Sequence, residues 1–144
     1  MIIDPKSGSL QIAEHIRVAS NDSFEKVMDL KLGQVQEVRD MDTGWIWLVE
    51  TNVRIGDDYF ILSFGFCHGL LKRVFLSVSK QPYSTQLLGW DNWSLQEQLD
   101  LVKYYNEWLD RQVGAVREFE WGYLGAEYDK KGGGSSVILS YKEQ

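Results

Sequence analysis

Two short stretches set chemically useful residues side by side. Lys130-Lys131-Gly132-Gly133-Gly134-Ser135-Ser136 combines cations, glycines and hydroxyls, the ingredients of a loop that cradles phosphate. Its order is wrong for that task. A phosphate loop places its Lys-Ser/Thr pair after the second glycine and opens a helix, whereas an apolar alternation follows here and reads as a strand. The stretch is expected to be a flexible hairpin turn. Cys67-His68 pairs a thiol with an imidazole, but sequence neighbours in a tight turn point apart, and a nucleophile must meet its base in space. The only histidines, His15 and His68, match no zinc spacing. No metal or cofactor is expected.

Carboxylates are plentiful: Asp40, Asp42, Asp57, Asp58, Glu118, Glu120, Glu127 and Asp129. A small hydrolase would need two of them facing across a cleft with tuned pKa values. Most fall in expected turns or on expected solvent faces, where density matters more than geometry, as on an acidic docking surface. Asp40, Asp42, Asp57 and Asp58 occupy two turns after neighbouring strands and are expected to form one acidic rim. Glu118, Glu120 and Asp129 form a second. Tryptophans Trp90, Trp93 and Trp108 supply a different option, a carbohydrate- or peptide-binding module that stacks rings on its ligand.

Charge narrows the partner. The 144 residues carry a net charge of −6 and a pI of about 4.9. Direct nucleic-acid binding needs clustered Lys and Arg and is disfavoured, while a basic protein would be steered towards this surface. The length and an apolar fraction of 44% suit a single domain, residues 1–144, with one core. The one cysteine allows no internal disulfide. The first residues show no basic region followed by an apolar run, and no apolar stretch reaches the length of a membrane span, so a cytoplasmic location is the default.

The elements that must position these residues are legible in the periodicity. Leu10, Ile12, Ile16 and Val18 alternate with polar residues and read as one half-buried strand. Asp22 and Glu25 have capping-box spacing before Phe24, Val27 and Met28, a short helix that Gly33 can end. Val35–Arg39 is a further strand candidate, and Asp40–Gly44 a turn. Trp45, Trp47, Val49, Val53 and Ile55 are expected on one side of the next strand, with Ile46 and Leu48 on the other. Gly56-Asp57-Asp58 and Cys67-His68-Gly69 punctuate two more strands, the second alternating Leu70, Val74, Leu76 and Val78 with Arg73, Ser77 and Ser79. Short turns imply an antiparallel meander. Ser94 and Glu97 form a capping box, and Gly114 suits the helix end. Between them Leu95, Leu99, Val102, Tyr105, Leu109 and Val113 form a stripe, widened by Leu101, Tyr104 and Trp108. That arc calls for cover over Tyr104 and Trp108, by the Trp90–Trp93 segment or by a partner. Val137, Leu139 and Tyr141 share a face of the last strand. Asp4–Leu10 echoes Asp129–Ser135, which points to shared turn chemistry ahead of a strand. The fold class is α+β: a curled antiparallel sheet or sandwich-like meander of about six to eight strands, with one long amphipathic helix and one short helix.

Four pieces together carry a family resemblance: GSLQI, FILSFGFCHGLLKRVFLSV, SLQEQLDLVKYYNEWLDRQVG and WGYLGAEYDKKGGGSSVILSY. The layout resembles the immunity proteins of polymorphic-toxin and contact-dependent growth inhibition systems. That resemblance implies a non-enzymatic cytoplasmic protein that binds the C-terminal domain of a cognate toxin and neutralises it. Many such toxins are nucleases with basic surfaces, and an acidic inhibitor would compete there with nucleic acid. The family shares no universal contact residues, so the rim residues above rest on charge and expected exposure alone.

Overall fold

The computed structural model describes residues 2–85 and 94–143. Its elements are β1 (Leu10–Ala13), β2 (Ile16–Val18), α1 (Phe24–Asp29), β3 (Val35–Asp40), β4 (Trp45–Ile55), β5 (Asp58–Cys67), β6 (Leu70–Ser79), α2 (Leu95–Val113), β7 (Glu118–Phe119), β8 (Gly122–Tyr128) and β9 (Ser135–Tyr141). Strands β3 to β9 form one antiparallel sheet of seven, in the order β3-β4-β5-β6-β9-β8-β7. The protein is therefore α+β with an open sheet. A four-strand meander runs from β3 to β6. The chain then crosses through α2 and returns as β7-β8-β9, which places the last strand inside the sheet between β6 and β8.

One face of the sheet carries the core. Leu48, Phe60, Leu62, Phe64, Phe66, Val74, Leu76, Val137, Leu139 and Leu124 line it, all fully buried. α2 covers part of this face, with Tyr105, Trp108 and Leu109 buried and Trp108 meeting Phe60 edge-on at 6.0 Å between ring centroids. The N-terminal segment covers more: Ile3, Leu10, Val18 and Val27 are fully buried in the same cluster.

Two β-bulges reset the alternation along the strands. Asn52, at φ 59°, is an extra residue between Thr51 and Val53. Trp45, Trp47 and Val49 therefore face away from the core, while Val53 turns into it and is not on their side of β4. In the same way Lys72 is inserted opposite the Gly65–Phe66 step, so Leu71 enters the core and Leu70 is left exposed.

Other expectations shift locally. The Leu10–Val18 strand is a hairpin, because Glu14 and His15 form a two-residue turn between β1 and β2. Ser23, not Asp22, caps α1 by accepting from Lys26 N–H at 3.1 Å; Asp22 instead accepts from Ala19 N–H at 2.8 Å and pairs with the Lys26 ammonium. Ser94 caps α2 as its spacing predicts, accepting from Glu97 N–H at 3.1 Å. The apolar stripe of α2 is buried only in its second half, and Leu95 and Leu99 are about half exposed, at 48% and 46%. Trp108 faces the sheet, which supplies its cover. Among the described residues no helix is long and apolar enough to cross a membrane.

Candidate functional site

The opposite face of the sheet has no layer of described residues packed over it, and its side chains are half-exposed along every long strand. Across neighbouring strands it presents Trp47, Gly65, Arg73, Ser140 and Tyr123 in register. Trp47 stacks on Trp45 at 5.9 Å and on Phe75 at 5.1 Å, the latter pair tilted by only 7°. This row lies flat because Gly65 lies beneath it: a Cβ there would stand 2.7 Å from the Trp47 ring. The Arg73 guanidinium sits over Trp45, 5.8 Å from the ring centroid. Tyr123 lies across Gly125 in the same manner.

Beside the aromatic row the surface deepens into a groove of about 720 Å³. Ile61, Phe75 and Ile138 form its apolar floor and Ser63, Ser136 and Ser140 its hydroxyls, while Arg73, Glu127, Asp129 and Lys130 stand at the margin. The β8–β9 turn, which holds the lysine- and glycine-rich stretch, forms one wall. Burial, with the adjacent Glu127 carboxylate second, pushes the Tyr123 phenol above its ordinary range. Tryptophan, tyrosine and arginine are the residue types enriched among the anchors of protein interfaces. Among the described residues no group of three or more His, Cys, Asp or Glu side chains is placed to hold a metal.

Of the acidic residues named from sequence, Glu127 and Asp129 stand at this groove, and hairpin geometry divides the others. Successive turns of a meander lie at opposite ends of the sheet. Asp40 and Asp42 flank the β3–β4 turn, whereas Asp57 and Asp58 occupy the β4–β5 turn at the far end of the eleven-residue β4. Their separation is roughly 33 Å at about 3.3 Å per residue, so the four do not form one rim. Asp58 is also compensated, with Lys80 Nζ 2.6 Å away. The second set divides likewise: Glu118 and Glu120 flank the β7–β8 turn, and Asp129 closes the other end of β8. The sheet order instead groups Asp40 and Asp42 with the end that holds Glu118 and Glu120, and Asp57 and Asp58 with the end that holds Asp129. Asp129 shapes its turn, accepting from Lys131 N–H at 2.9 Å.

Of the tryptophans considered for ring stacking, Trp108 is buried at 4% exposure and cannot reach a ligand. Trp90 and Trp93 lie outside the described residues. The tryptophans that do stand on an open surface, Trp45 and Trp47, carry in the sequence only the pattern of strand residues. The signal was present in their period of two, but which side of a strand is covered depends on the packing of other elements. The backbone N–H of His68 donates to Gly44 O at 2.9 Å, which ties two turns together at one sheet end. Glu50 was not singled out at all. It is fully buried and accepts from Gly33 N–H at 2.9 Å and Gln36 Nε2 at 2.6 Å, fastening the segment after α1 to the sheet.

No known protein family, no characterised protein and no solved structure matches this chain.

Proposed function

We propose that the chain is an immunity protein: a non-enzymatic, cytoplasmic binder of the C-terminal domain of a cognate bacterial toxin. The toxin on this reading is a nuclease with a basic surface, and neutralisation is by covering its active site or substrate-binding surface. The observation that supports the reading is the Trp45–Trp47–Phe75 row with Arg73 beside it, held flat on an open sheet face. Trp, Tyr and Arg dominate the energy of protein interfaces when they sit centrally in a rigid patch. The net charge of −6 adds long-range attraction for a basic partner.

A division of labour belongs to this reading. Aromatic contact on the open face sets the lifetime of the complex. Asp40, Asp42, Asp57, Asp58, Glu118, Glu120 and Asp129, at the sheet ends, steer approach. The test pairs this protein with the toxin domain encoded by the adjacent reading frame. Co-expression should restore growth, and calorimetry should give one-to-one binding. Trp47→Ala together with Arg73→Glu should weaken that binding at least about 100-fold, roughly the loss of one strong interface anchor. Failure of the wild-type chain to protect cells or to bind the domain would remove the reading.

A further inference from the structure

We propose that the protein pairs with a second copy of itself through β3, joining two sheets edge to edge. The two edges of the sheet differ. The far edge, β7, is two residues long, whereas β3 runs for six residues, exposed throughout, in unbroken register with β4. Natural sheets blunt a long edge with proline, a bulge or charged side chains. β3 has neither of the first two, and its Glu37 and Arg39 are of opposite sign, on one face of the strand, 3.1 Å apart.

Among the described residues no strand pairs with the outer side of β3, and the direction of its outward backbone groups fixes the pairing. Met41 N–H donates to Trp45 O at 3.0 Å. With the β3–β4 register this makes Arg39, Glu37 and Val35 the inward-bonded positions. Antiparallel pairs alternate, so the N–H and C=O of Gln36, Val38 and Asp40 point off the edge. A two-fold axis at Val38 joins these groups to their counterparts: Val38 to the second copy's Val38, and Gln36 to its Asp40.

The side chains agree with that axis. Glu37 falls opposite Arg39 of the second copy on both sides of the dyad, forming two cross-strand ion pairs. Val35 falls opposite Met41. Val35, Val38 and Met41 are exposed at 44%, 44% and 52%, and the pairing brings each against an apolar partner. A self-complementary order of charge and apolarity about one residue selects a second copy of this chain over an unrelated strand. The axis stands perpendicular to the sheet, so both aromatic faces look the same way, and the inference does not depend on what they bind.

Light scattering behind size exclusion, over a concentration series, tests it, with circular dichroism confirming that each variant folds. Wild type should dimerise. Glu37→Arg and Arg39→Glu should each raise the dimer dissociation constant at least about tenfold, since like charges then oppose across the axis. An equimolar mixture of the two variants should restore the dimer, because each supplies the charge the other lacks. A wild-type chain that stays monomeric up to its solubility limit, single variants that dimerise as well as wild type, or a mixture that stays monomeric each overturns the proposal.

Discussion

Asp4 organises the N-terminal turn: besides the weaker bond from Ser7 N–H to its carbonyl, its carboxylate accepts from Lys6 N–H at 2.9 Å, its carbonyl from Gly8 N–H at 2.7 Å, and its N–H donates to Ser9 O at 3.0 Å. Asp129 repeats the scheme with Lys131, Gly133 and Gly134 at 2.9, 2.7 and 2.8 Å. Gly8 and Gly133 take matching φ values of 73° and 75°. The echo between the two segments is therefore an aspartate-seeded turn that needs a left-handed glycine four residues on. The first copy is docked as well: Trp121 Nε1 donates to Pro5 O at 2.9 Å, the Tyr141 hydroxyl donates to Gly8 O at 2.7 Å, and a Cβ on Gly8 would stand 2.5 Å from the Trp121 ring. Gly8→Ala combines a left-handed penalty with a steric conflict and should cost roughly 2–4 kcal/mol in urea unfolding. Burial pushes the Tyr141 phenol far above its ordinary range. Below about pH 10 the folded and unfolded phenols are both neutral and contribute no pH dependence. Above it the unfolded phenol ionises first, so stability falls with rising pH, by at most about 1.4 kcal/mol per pH unit for this group. Tyr141→Phe should lower stability at neutral pH by about 1 kcal/mol through the lost hydrogen bond, yet soften the alkaline decline. An unchanged alkaline slope would show that this phenol does not couple to folding.

The β3–β6 meander, its turns and the helix α2 were legible because each rests on local signals: alternation, turn residues, and Ser94 and Gly114 at the helix ends; the Glu14-His15 turn that splits Leu10–Val18 into β1 and β2 carries no such signal. What could not be read was whatever depends on pairing. Asn52 and Lys72 carry no bulge signature, yet each breaks the side-chain alternation of its strand, so that Val53, just after Asn52, and Leu71, just before Lys72, both enter the core. Leu95 and Leu99 look like core residues and are exposed because the buried contacts of α2 lie in its second half. The strongest element-level consequence concerns β9. It bridges β6 and β8, so it joins the two halves of the sheet and buries Val137, Leu139 and Tyr141. Truncation before Val137 would expose the β6 and β8 edges together and remove three core side chains. The shortened chain should lose its cooperative thermal transition and its near-ultraviolet dichroism. A soluble truncation with a sharp melt would contradict this placement of β9.

Across the whole molecule the sheet has two unlike sides. One carries the buried core under α2 and the N-terminal segment; the other carries half-exposed aromatics, hydroxyls and Arg73. The expected acidic rims did not survive this geometry, because turns adjacent in sequence alternate between sheet ends, a property of hairpin connectivity that no count of aspartates reveals. The aromatic face was hidden in the sequence for the complementary reason: Trp45, Trp47 and Trp108 are equally apolar, and only packing sorts them. That sorting predicts opposite responses. Trp108→Ala empties a buried position against Phe60 and should cost about 3–5 kcal/mol of stability, with partner binding by the folded fraction left intact. Trp47→Ala leaves no internal cavity, since its ring lies on the surface above Gly65. Its cost to stability should stay near about 1 kcal/mol, the scale of one lost aromatic stacking contact, while the complex dissociates at least about tenfold faster. Urea titration and surface plasmon resonance on the same two variants separate these effects. If Trp47→Ala unfolds the chain as readily as Trp108→Ala, the open face belongs to the core and the division between a stabilising side and a binding side is wrong.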